Sequence, residues 1–184
     1  MEENTTQPTS LISHAAKWGA IFAGIGIVIT MLLYVIDFTL MAGFTFLLSL
    51  LAIGIAFVIY AGINYRNEIG GFIPFGKAYL HGFAVFAVSG IITTIFNILL
   101  YTVIDPDLAQ NMTDAIISNT EATMEKWGAP AESIEPTIEK MREDTPKNFA
   151  PLGLIKSYFL GLIWYAILSL ITGLVVKKNQ PEMI

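Results

Sequence analysis

Three aspartates stand at the ends of apolar runs: Asp37 after the first, Asp105 and Asp107 after the third. A pair of carboxylates is the minimum equipment for acid–base hydrolysis, one protonating a leaving group while the other activates water. Helix ends, however, are also where a carboxylate satisfies free backbone N–H groups. Pro106 directly after Asp105 is the residue suited to a first helical position. Capping is the simpler reading, and no catalytic residue is assigned.

The densest mixture of chemistry lies in residues 64–83, NYRNEIGGFIPFGKAYLHGF. Gly70 and Gly71 let backbone N–H groups face outward, and Arg66 and Lys77 are placed to meet a phosphate or an anionic lipid headgroup. The structural alternative is a tight interfacial turn whose cations simply flank the membrane. The spacing of a phosphate-binding loop is absent. His81 follows one turn later and is the type of side chain that binds and releases protons near neutrality. A lone histidine there more often hydrogen-bonds a neighbour. Asn97, with Thr93 and Thr94 beside it, is the strong polar group set deepest in an apolar run, and it is expected to join helices.

Composition narrows the rest. With no cysteine and only His14 and His81, thiolate chemistry and histidine-rich metal sites are excluded. No metal, no cofactor and no enzymatic activity is expected. Residues 105–151 carry ten acids against four bases, a net of −6, while the remainder sums to +1. No basic stripe exists to neutralise phosphates, which argues against nucleic acid as a partner. The acids Glu121, Glu125, Glu132, Glu135, Glu139, Glu143 and Asp144 lack the alternating oxygens of a calcium loop and read as a solvated face.

Hydrophobic residues make up 54% and charged residues 14% of the 184, far too apolar for a soluble domain. The fold class expected is all-α: an integral membrane four-helix bundle with an acidic extramembrane helical hairpin between the third and fourth spans. Spans are placed at residues 15–36, 40–63, 78–104 and 152–176, each long enough to cross the hydrocarbon layer. Residues 1–14 read as a disordered tail without a cleavable signal peptide, 64–77 as the joining loop, and 177–184 as a second tail. The hairpin, 105–151, is divided by Gly128, a helix-closing glycine, and ended near Thr145-Pro146. Small residues at every fourth position mark two lines of helix contact. One is Ala16, Ala20 and Gly24; the other is Gly153, Ser157, Gly161, Ser169 and Gly173, interrupted only by Tyr165.

An even number of spans puts both termini on one side. Lys17, Arg66, Lys77, Lys177 and Lys178 flank spans closely on that side, which places it in the cytoplasm and the acidic hairpin in the periplasmic or extracellular water. No acid or base sits mid-span, whereas proton-coupled pumps need an intramembrane charge.

The run YRNEIGGFIPFGKAYLHGF, with YTVIDPD and an acidic insert downstream, resembles the bacterial membrane proteins grouped as domain of unknown function 4199. The most specific elements are Gly70-Gly71-x-x-x-Phe75-Gly76-Lys77-Ala78 and Asp105-Pro106-Asp107; the family usually carries Tyr where Phe72 stands here. The resemblance spans roughly residues 18–178 and implies four helices in a bacterial inner membrane, with no activity attached. The resulting expectation is a non-enzymatic accessory or structural component acting through a membrane-protein partner or a second copy, with membrane lipids around it. Met124 and Trp127 are the expected outer contact. The alternative is a small oligomeric transporter or channel lined by Asn97.

Overall fold

The computed structural model describes residues 10–180, so readings that concern residues 1–9 and 181–184 lie outside the described residues. The chain is helical almost throughout: α1 (Leu11–Asp37), a 3₁₀ turn (Phe38–Ala42), α2 (Phe44–Glu68), α3 (Phe75–Leu99), a π turn (Leu100–Ile104), α4 (Leu108–Lys126), α5 (Ala131–Phe149) and α6 (Pro151–Val176). Among the described residues there is no β-strand; a single antiparallel bridge joins Ile73 to Lys178. Four segments are long and apolar enough to cross a membrane: Leu11–Ala42, Phe44–Glu68, Phe75–Ile104 and Pro151–Val176. Leu32, Val35, Ile36, Phe44, Phe159 and Trp164 stand outward on them, the surface that hydrocarbon tails cover without penalty.

The chain divides into two compact units. The first comprises residues 10–24, 52–91 and 161–180. Its core is Ala15, Val58, Val85 and Phe86, joined by Trp18, Phe22 and Tyr165, with a second cluster of Tyr65, Ile73, Ala78 and Val176. Close helix approach is built from missing side chains. A Cβ on Gly82 of α3 would lie 2.8 Å from Thr172 Oγ1 of α6, and one on Gly173 would lie 3.0 Å from the Tyr79 backbone nitrogen.

The second unit comprises residues 25–51 and 92–160. Leu100, Leu108 and Met112 are buried with Met31, Tyr34, Phe38 and Phe149 around them. Asp105 ties this end together: Oδ2 accepts from the Tyr34 hydroxyl at 3.0 Å and Oδ1 from the Leu108 N–H at 3.1 Å. The π turn before it comes from the Asp105 N–H reaching back five residues to the Leu100 carbonyl, 2.9 Å away. α4 and α5 pack on each other through Ile117, Ile134 and Ile138, with Met124 and Met141 alongside. Gly128 closes α4 at φ +77°, its N–H and that of Ala129 returning to the carbonyls of Glu125 and Met124.

Four readings need correction. Helix α1 begins at Leu11, so Leu11–His14 are ordered: the Ser10 hydroxyl accepts from the Ser13 N–H, and His14 and Ala15 are buried. The joining loop shrinks to residues 69–74, because Arg66 still belongs to α2 and Lys77 already belongs to α3. The close-packed stripe of α1 is Ala15, Gly19 and Ala23, one residue out of phase with Ala16, Ala20 and Gly24; Ala20 and Gly24 are exposed. Lastly, α5 runs through Pro136 and Pro146 to Phe149. Each proline removes one helical N–H, a loss that water can offset on a helix whose Arg142 and Glu132 are exposed.

Candidate functional site

The first unit concentrates polar side chains where three of the long helices meet. α1 brings His14 and, one turn later, Trp18; α2 brings Asn64, Tyr65 and Glu68; α3 brings His81. His14 Nδ1 lies 2.9 Å from His81 Nε2, and both rings are buried. His14 Nε2 faces three groups at once: the Trp18 indole N–H donates to it at 3.0 Å, Asn64 Oδ1 is 3.1 Å away, and Glu68 Oε1 is 3.5 Å away. The Tyr65 ring stacks on His81, planes 8° apart at 5.1 Å, and meets His14 at 5.0 Å. His81 Nδ1 is buried and makes no hydrogen bond.

Helix geometry explains the convergence. His14 and Trp18 are four apart and so share one face of α1, and Asn64 and Glu68 do the same on α2. Gly82 next to His81 lets α3 approach Ser169 and Thr172 of α6, which fixes the depth of the histidine.

Beside this cluster opens a cavity of about 730 Å³ whose walls include Tyr65, Glu68, Phe72, Pro74, Lys77 and Lys178. Glu68 belongs to both, with its side chain 44% exposed, and so connects the cavity to the buried imidazoles. The loop wall is held rigid. Gly70 and Gly71 take φ of +98° and +86°, and Ile73 exchanges two 2.9 Å backbone hydrogen bonds with Lys178. Lys178 Nζ stands over the Phe72 ring, 5.3 Å from its centre.

A family model described as Protein of unknown function (DUF4199) matches residues 17–178. The chain belongs to this family. No curated protein and no solved structure matches it. The family description carries no activity, so the chemistry of this DUF4199 chain has to be read from its geometry.

The residues singled out from sequence fall into separate places. Arg66 faces α6: Nη1 donates to the Val176 carbonyl at 3.0 Å, so the helix C-terminus takes the charge that an anionic ligand was expected to take. Lys178 joins Lys77 at the cavity in its stead. Ser169 and Gly173 are buried against α3, while Ser157 is exposed, Gly161 has the Tyr165 ring of its own helix nearest to it, and Gly153 sits against the Lys147–Asn148 backbone. Over its last two turns the contact line on α6 is buried against α3, at Ser169 and Gly173. Asn97 is half-buried and its side chain makes no hydrogen bond. Met124 packs into the α4–α5 core, whereas Trp127 is 80% exposed. Asp37 accepts from the Thr39 N–H and hydroxyl at 2.9 and 2.6 Å, as a capping side chain does. Among the described residues no three His, Asp or Glu side chains are grouped to hold a metal ion.

The sequence reading missed His14 as a partner of His81. The pairing spans 67 residues, and no local pattern reports such a distance. The visible signal was Ser10 as a helix cap, which would have carried α1 back over His14 and set it on the face of Trp18.

Proposed function

We propose that this DUF4199 protein is a non-enzymatic accessory or structural component of a bacterial inner membrane, acting through contact with a membrane-protein partner. Its four long helices form a membrane bundle with both termini in the cytoplasm. Four crossings then place α4 and α5, an acidic helical hairpin, in the periplasmic or extracellular water. The observation that carries this reading is Trp127, four-fifths exposed where α4 ends, beside helices whose acids Glu121, Glu125, Glu132 and Glu139 face solvent. An indole left in water outside the lipid-covered segments is the side chain most enriched at the anchors of protein contacts. The carboxylates that sequence could offer for catalysis, Asp37 and Asp105, are engaged in capping and in the bond to Tyr34.

The test is a photo-crosslinking amino acid at position 127 in intact membranes, with position 119 as an exposed control on the same helix. A single adduct of defined protein mass from 127 and none from 119 supports the contact. No protein adduct from 127 sinks it.

A second reading, a small oligomeric transporter or channel, draws on Asn97. An amide in a membrane helix without a hydrogen bond gains by meeting another polar group across an assembly. Solute flux in proteoliposomes that is unchanged by Asn97→Leu would remove that reading.

A further inference from the structure

We propose that His14 and His81 form a binding site for one proton, taken from the cavity through Glu68, and that its arrival exchanges the partner of His14 from Trp18 to Asn64 and Glu68.

Counting hydrogens fixes the empty state. The Trp18 indole N–H only donates, so His14 Nε2 accepts from it at 3.0 Å and the His14 proton sits on Nδ1. Nδ1–H donates to His81 Nε2 at 2.9 Å, which leaves the single proton of neutral His81 on Nδ1, the buried atom without a partner. In this state the Nε2 lone pair is taken by the Trp18 N–H, and Glu68 Oε1 at 3.5 Å and Asn64 Oδ1 at 3.1 Å face it acceptor against acceptor.

Adding one proton to Nε2 changes each of these contacts. Nε2–H donates to Asn64 Oδ1 and faces the Glu68 carboxylate, while the Trp18 N–H, now donor against donor, is expelled. The pair goes from neutral to +1 and the carboxylate supplies the compensating charge. Among the described residues Glu68 is the only acid at the cluster, and it is also a wall of the cavity, so the proton reaches His14 through it.

The neighbours on every packed element fit one added charge. α1 adds Lys17, which is exposed; α2 adds Tyr65 and Glu68, with Arg66 turned to the Val176 carbonyl; α3 adds His81 and, at the cavity, Lys77. Lys178 lines the cavity from the segment after α6, and α6 itself brings Ser169 and Thr172, neither of which titrates. Expelling Trp18 is a mechanical event, since its ring packs edge-on to Phe57 and Tyr60 of α2 at 5.6 and 5.5 Å. Proton uptake therefore loosens α1 from α2 at this end of the first unit.

The experiment uses the full chain in lipid nanodiscs with Trp127→Phe and Trp164→Phe, which leave Trp18 as the sole tryptophan. Its fluorescence is followed while pH is lowered. The expected result is a one-proton transition in intensity and wavelength that is lost in His14→Gln. In Glu68→Gln, a change at the exposed rim, the transition shrinks or is lost because the compensating charge is gone. A flat Trp18 signal in the parent protein overturns the proposal. So does a transition that survives His14→Gln in a folded sample, or one that Glu68→Gln leaves unchanged.

Discussion

The carbonyl oxygen of Val85 lies 2.8 Å from where a Cβ on Gly19 would stand, and the Val88 Cβ lies 2.9 Å from it. α1 and α3 are thus in backbone contact at a residue with no side chain, the arrangement by which helices associate in lipid. The oxygen belongs to a helical peptide and cannot yield as a side-chain tip would. Gly19→Leu should cost about 1–3 kcal/mol through overpacking. Gly24→Ala, with nothing within 4 Å of the new methyl, should cost nothing. Thermal unfolding of the two variants in one detergent checks the contrast.

That contact also shows where the sequence was readable and where it was not. Four apolar runs and an acidic insert announce themselves, because crossing hydrocarbon demands a length and polarity that composition cannot hide. Which face of each run is buried is another matter. All faces of α1 are apolar, so the period that separates inside from outside in a soluble helix is absent, and small residues occur on two adjacent lines. Only Gly19 meeting Val85, and Ala15 joining the buried cluster of Val58, Val85 and Phe86, tell them apart. The site suffered from the same blindness. His81 was visible as a polar residue in an apolar run, but its partner lies on a helix whose register the sequence did not determine.

His81→Phe keeps an aromatic ring against Tyr65, a slightly larger one, while removing the acceptor of His14 Nδ1–H. A buried donor left without a partner costs about 1–3 kcal/mol. The unpartnered N–H of His81 disappears as well, while the larger ring adds a packing cost, so the total stays within that range. The denaturant midpoint of this variant against the parent measures it.

The loop should be sensitive to its backbone more than to its charges. Gly71 at φ +86° has open space around it, so Gly71→Val meets no clash, only a conformation that a β-branched residue rarely adopts. The cost is about 1–3 kcal/mol. It should appear as faster hydrogen exchange at Ile73 and Lys178, whose paired amides depend on that turn.

On α5, the Lys147 ammonium 2.9 Å from Asp144 holds that carboxyl below its ordinary 3.8, and Asp144 in turn raises the lysine above 10.5. The depressed acid contributes stability above its unfolded value and loses it as pH falls through the folded one. The raised lysine contributes below its unfolded value and loses it as pH climbs past the folded one. Both side chains are in water, so the effect on α5 is small. Asp144→Asn should flatten the acid limb of the helicity profile measured by circular dichroism and leave neutral pH nearly unchanged.

The central claim, that four segments cross the membrane and set α4 and α5 apart from the C-terminal segment, is open to direct measurement because the chain has no cysteine of its own. Single cysteines at Glu125 and at Asn179 are treated with a membrane-impermeant thiol reagent on intact cells and again after permeabilisation. The account predicts that position 125 labels at once and position 179 only after the membrane is opened. Labelling of both, or of neither, before permeabilisation would contradict it.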